Sequence, residues 1–107
     1  MSEAVTDPAV ITLPREIDYT NSEKICAQLC SAIDDGVAVV VDMTPTIRCD
    51  SSGFRMLLVV RDRAAETGVQ LRLAVSADGQ VLRALGLMGF DRLLQIFPSL
   101  QEALAFG

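Results

Sequence analysis

The sequence predicts an α/β domain, with a mainly parallel or mixed sheet of four to five strands and about four helices. Three observations carry that expectation. Short β-branched and apolar runs alternate along the chain with stretches of helical period. Two capping boxes, Thr20-Asn21-Ser22-Glu23 and Ser99-Leu100-Gln101-Glu102, mark helix starts, because the Ser/Thr hydroxyl and the Glu carboxylate can each satisfy an orphan amide. The run Val37 to Met43 is apolar at every position but Asp42, as expected of a strand covered on both faces in a parallel sheet. Alternation of this kind favours parallel strands joined by right-handed crossovers.

Taken in order, Asp7-Pro8 reads as a turn and Ala9 to Leu13 as a first short strand. A helix follows the first box, with Ile25, Leu29 and Ile33 on one face and Cys26 and Cys30 alongside. Asp34-Asp35-Gly36 ends it, since glycine accepts the left-handed conformation at a helix C-terminus. Thr44-Pro45 breaks the Val37–Met43 strand. A second helix begins within Asp50 to Gly53, with Phe54, Leu57, Leu58 and Ala65 inside and Arg55, Asp62 and Glu66 outside, and Gly68 closes it. Val69 to Val75 alternates with period two, predicting a strand nearer the edge with Gln70 and Arg72 outward. Gln80 to Leu87 predicts a shorter helix with Val81, Leu82, Leu85 and Met88 as its stripe. Leu93 to Phe97 predicts a last strand, and a helix from the second box runs to about Phe106.

A chain of 107 residues suits one domain, here 1–107, with residues 1–8 a poorly ordered or edge-strand N-terminus. The net charge of −5 and the lack of a basic cluster with aromatic platforms argue against nucleic acid. The arginines from Arg48 to Arg63 are interrupted by Asp50 and Asp62 and read as a solvated face. No apolar run reaches the roughly 18 residues of a membrane span, and the N-terminus has no signal-peptide pattern. The three cysteines, Cys26, Cys30 and Cys49, form no disulfide framework and read as small buried hydrophobes. A cytoplasmic location is expected.

Catalysis is poorly supported. The chain has no histidine, its one lysine is Lys24, and Ser51 and Ser52 have only acids near in sequence to act as a base. Neither a GxxxxGK[ST] loop nor a GxGxxG fingerprint is present. Asp18, Asp42 and Asp50 can meet at one end of the sheet around a divalent ion, but acids at helix starts also serve as caps. No metal or cofactor is expected.

The stretch Asp50-Ser51-Ser52-Gly53 lies between the buried strand and the second helix. It has two compatible readings. Asp50 or Ser51 caps the helix while Gly53 permits close packing against a strand. A serine at such a turn is also exposed, and a phosphate on it would meet free amides and the positive end of the helix dipole.

From about Val10 to Ala105 the chain resembles the STAS domain family, and most closely its free-standing bacterial anti-sigma factor antagonists. The resemblance rests on Glu16-Ile17-Asp18, on Val39 to Asp42 followed by Asp50-Ser51-Ser52-Gly53, on Leu71-Arg72-Leu73, and on Leu87 to Leu94 followed by Ser99 to Leu104. It implies that Ser51 accepts phosphate from a serine kinase that is also the anti-sigma factor. The unmodified protein would bind that kinase and release the sigma factor, and a serine phosphatase would reset the switch. Asp18, Asp50, Ser52 and Gly53 would frame the partner surface. Arg15 and Arg48 depart from the family pattern, as does Arg55, and they put cations around the presumed switch, as part of the partner surface, as phosphate ligands or as solvated side chains. The other reading is a STAS interaction module of a sensory or transport assembly, with the serines acting only as caps.

Overall fold

The computed structural model describes residues 7–105. The expectation for residues 1–8 therefore lies outside it, except that Asp7 and Pro8 carry no regular structure in place of the expected turn. The predicted helix end at Phe106 also lies outside.

The main sheet has four strands, β1 (Ala9–Thr12), β3 (Val39–Asp42), β5 (Leu71–Ala74) and β6 (Gln95–Phe97), in the order β1-β3-β5-β6. Every pairing is parallel, with Val39 opposite Ala9 and Leu71, and Leu73 opposite Ile96. Between the first two of these strands and the helices that follow them lie β2 (Glu16–Ile17) and β4 (Arg48–Cys49), which pair in parallel as a separate two-stranded ladder. The helices are α1 (Ser22–Asp34), α2 (Ser51–Thr67), α3 (Gln80–Leu87) and α4 (Leu100–Ala105), with one turn of 3-10 helix at Phe90–Arg92.

Side chains alternate across a strand, so β3 sends Val39 and Val41 to one side and Val40 to the other. Val39 and Val41 join the main core with Ile25, Leu29 and Ile33 of α1, Leu57 and Val60 of α2, and Val81 and Leu85 of α3. Val40 meets Ala74 and Ala103 beneath α4, with Phe97 and Leu100 at the margin. All four residues of β3 are buried, as the continuous apolar run predicts.

β5 departs from its expected place. It is internal and all four of its residues are buried, Arg72 included. The cause is α4, which covers the outward face of the sheet. Arg72 lies under it and donates from Nη1 to the Ala103 carbonyl at 2.9 Å and from Nη2 to Gln70 Oε1 at 2.7 Å. Gln70 stays exposed, as predicted.

Helix boundaries follow local chemistry with some shifts. The Thr20 capping box does not form. α1 starts at Ser22 with Asn21 as its N-cap residue and no side-chain cap bond, because the Thr20 amide and hydroxyl both donate to the Asp18 carboxylate. A charged acceptor outcompetes the neutral arrangement. At α4 the box largely forms, with the Glu102 amide donating to Ser99 Oγ at 3.1 Å and that hydroxyl donating to Glu102 Oε2 at 3.0 Å.

On α2 the buried seam runs Gly53, Phe54, Met56, Leu57, Val60, Ala64, so Ala65, expected inside, lies outside. Gly68 closes the helix at φ 73°. On α3 Val81 and Leu85 are buried, but Met88 is exposed, because the chain turns at Gly89 with φ 77° into the 3-10 turn. That turn seats Phe90 edge-on against Phe54, with ring centroids 5.9 Å apart. The last strand begins at Gln95, later than expected, and Leu93 is exposed. Cys26 and Cys30 are free and half-buried at the margin of the core. Burial, then Cys30 and Glu23, push the Cys26 thiol above its ordinary range.

Candidate functional site

The site is built by the small β2–β4 ladder. Its register sets Glu16 opposite Arg48 and Ile17 opposite Cys49. The ladder carries on at its C-terminal end, where the Asp50 amide donates to the Ile17 carbonyl at 3.0 Å. Asp18 and Asp50, each the residue after its strand, therefore come side by side. Glu16 and Ile17 are strand, and the turn after Asp18 runs from Tyr19 to Asn21.

Each acid organises its own turn. Asp18 accepts from Thr20, and its backbone carbonyl accepts from the Asn21 and Ser22 amides at 3.2 and 2.9 Å. Asn21 closes the loop by donating to the Glu16 carbonyl and accepting from the Asp18 amide. Asp50 caps α2, with Oδ1 accepting from the amides of Ser52 at 2.9 Å and Gly53 at 3.3 Å and from the Ser52 hydroxyl. The Ser52 hydroxyl, with the Gly53, Ser52 and Tyr19 amides, holds the Asp50 carboxyl below the usual carboxylate range in spite of partial desolvation.

The two serines differ sharply. Ser52 is half-buried and its hydroxyl is bound to Asp50. Ser51, the first residue of α2, is exposed, and among the described residues its hydroxyl has no hydrogen-bond partner. Asp50, not Ser51, is the cap. That arrangement leaves fewer free amides for a phosphate than the turn alone suggests, since those of Ser52, Gly53 and Phe54 already bond to Asp50.

Gly53 is where α2 sits on the ladder. A Cβ there would fall inside contact distance of Cys49 Sγ and 2.8 Å from Ile17 Cγ2. Cys49 is correspondingly protected: burial first, and then Asp50, push its thiol up to about 12, so it remains a neutral packing group at neutral pH.

Arg15, Arg48 and Arg55 are all exposed. The Arg15 carbonyl accepts from the Ile47 and Arg48 amides at 2.8 and 3.2 Å and anchors the ladder. Arg55 lines a groove between α1 and α2 with Ser22, Glu23, Cys26, Ser52 and Val59. Asp42 lies apart, buried, accepting from the amide and hydroxyl of Thr44 at 3.0 and 2.6 Å. Asp18, Asp42 and Asp50 do not converge: among the described residues no three acidic, cysteine or histidine side chains are placed to share an ion. A hollow lined by Ala77 to Gln80, Leu82 and Arg83 does not include Ser51. Sequence reading passed over two exposed apolar side chains near the turn, Tyr19 and Ile47, which are 81% and 51% exposed. The sole tyrosine next to Asp18 was the available signal. No helix among the described residues is long and apolar enough to cross a membrane.

Comparison with known proteins agrees with this architecture. No curated protein matches the chain. An anti-sigma factor antagonist from Mycobacterium paratuberculosis superposes with a TM-score of 0.79 at 20% identity, over 89% of this chain and 80% of that one. The Bacillus cell fate determinant SpoIIAA in its phosphorylated form gives a TM-score of 0.67 at 23% identity, over 94% and 92%. A sulfate transporter family protein from Wolinella succinogenes gives 0.72 at 19%, over 94% and 86%. At such identities the likeness is one of fold. The sequence itself matches the STAS domain model over residues 1–103, and the chain belongs to the STAS domain family.

Proposed function

We propose that this STAS domain is an anti-sigma factor antagonist whose switch is Ser51. The observation that carries the reading is the contrast between an exposed, unengaged Ser51 hydroxyl and a Ser52 hydroxyl held by Asp50 at the same helix start. The unmodified form binds an anti-sigma factor that is also a serine kinase, through Asp18, Asp50, Ser51, Ser52 and Gly53 with Arg48 and Arg55 at the margin, and the sigma factor is released. The kinase transfers the γ-phosphoryl group of ATP to Ser51: the Oγ–P bond forms, the bond to ADP breaks, and the hydroxyl proton leaves to a base on the kinase. A serine phosphatase hydrolyses the ester and restores binding. Solved folds of antagonists support the reading.

Incubation with ATP and the cognate kinase tests it. One phosphate is expected, mapped to Ser51 by peptide mass spectrometry, lost in Ser51→Ala and kept in Ser52→Ala. Labelling of Ser52 or of neither serine overturns the assignment. The fold of the sulfate transporter family protein favours a second reading, an unphosphorylated interaction module, for which wild type and Ser51→Ala bind their partner equally and neither is labelled.

A further inference from the structure

The geometry points to Arg55 as the cation that receives the phosphate on Ser51, a clamp built into this chain's own α2. The inference rests on Ser51 as the acceptor. The amides of Ser52, Gly53 and Phe54 at the start of α2 already bond to Asp50, and Asp18, Asp50 and Glu23 supply only negative charge nearby. A side-chain cation within reach of Ser51 would add to what the helix dipole gives a dianion there.

Ser51 and Arg55 are four apart on one helix, the spacing that brings Cβ atoms to about 5–6 Å. Helical side chains lean towards the N-terminus, so the guanidinium leans over the turn that carries Ser51. Both residues are exposed, and Arg55 shares a groove wall with Ser52, which places it against the first turn. Farther along α2 the other arginines are engaged, Arg61 with Asp62 at 3.2 Å and Arg63 with Asp34 at 2.7 Å, while Arg55 makes no ion pair among the described residues. Arg48 is turned elsewhere. It is opposite Glu16 in the ladder and lines hollows on the α3 side with Ile47 and Gln80, neither of which includes Ser51. A planar guanidinium matches phosphate oxygens in a bidentate fork, which a lysine cannot reproduce.

The test uses phosphoserine installed at position 51 during translation, so that it does not depend on any kinase. The second ionisation of a phosphoserine falls near pH ~6, and phosphorus NMR follows it. In Arg55→Gln the midpoint is expected about 0.15–0.4 pH unit above wild type, with Arg55→Lys between the two. The gap should close in roughly 1 M salt, where charges are screened within about 3 Å. Arg92→Gln, which removes the same charge from the 3-10 turn, should titrate with wild type. Coincident titrations of wild type and Arg55→Gln, or an equal shift in Arg92→Gln, overturn the clamp. Failure of the kinase to label Ser51 would instead count against the functional reading and leave this titration as it is.

Discussion

Ser51→Asp is expected to fold as wild type does and to bind the anti-sigma factor kinase about 10- to 100-fold more weakly, a loss of about 1.4–2.8 kcal/mol, because like charges set against each other at an interface repel. Ser51 is exposed and opens α2, and a carboxylate in the first turn of a helix is favourable to the domain itself. An exposed substitution of this kind stays within about 0.5 kcal/mol, so the melting temperature should move by no more than about 4 °C. A partner packed over the turn has no such compensation. It meets a new negative charge beside Asp50 and Asp18 and must desolvate it. Phosphoserine, carrying about 1.5 to 2 charges, should weaken binding further, whereas Ser51→Ala should bind as wild type and resist labelling. Calorimetry on each variant, with a binding titration against the kinase, separates blocking from unfolding. If Ser51→Asp and the phosphorylated protein both bind as tightly as the unmodified form, the switch does not work by blocking this surface.

Gly53→Ala is expected to lower the melting temperature by roughly 4–24 °C, taking about 1–3 kcal/mol for overpacking and about 4–8 °C per kcal/mol for a domain of this size. Alanine is the better helix former by nearly 1 kcal/mol, so on propensity alone the change would stabilise α2. The contacts reverse the sign. The new methyl group would press on Cys49 Sγ and on Ile17, which is buried at the heart of the ladder, and the first turn of α2 must lift to admit it. Cys49→Ala removes the nearer obstacle and should restore part of the loss in the double variant. A melting temperature within about 2 °C of wild type in the single variant would show that the turn yields freely.

The strand and helix alternation, the central β3 and the place of Ser51 at the start of α2 were legible because each rests on a run of several residues with one periodicity. The close packing at Gly53 was legible from turn chemistry, which left the cap open between Asp50 and Ser51. What escaped was set by tertiary contacts or by elements too short to have a period. β2 and β4 have two residues each, which no pattern of alternation can mark, yet they bring Asp18 to Asp50. Thr20 satisfied a local capping rule that Asp18, two residues earlier, overrode by offering a charged acceptor. Arg72 had the spacing of a solvent-facing residue, and only the return of α4 across the sheet supplied the Ala103 carbonyl that lets it be buried. Ser51 and Ser52 were adjacent hydroxyls in the sequence, and the Asp50 carboxylate made them different.

The brevity of the β2–β4 ladder also bears on how the surface behaves in time. Two residues on each side make too small a unit to share the cooperativity of the four-stranded sheet, and segments with few paired amides open by local unfolding at a fraction of the global free energy. The Asp50 amide, held by the Ile17 carbonyl at the end of that ladder, should exchange with solvent deuterium much faster than the amides of Val40 and Val41 in β3. The recognition surface would then breathe while the sheet beneath it stays closed, so a partner or a kinase could reshape the serine turn without unfolding the domain. Equal protection at Asp50 and Val41 would mean that the turn and the sheet open only together.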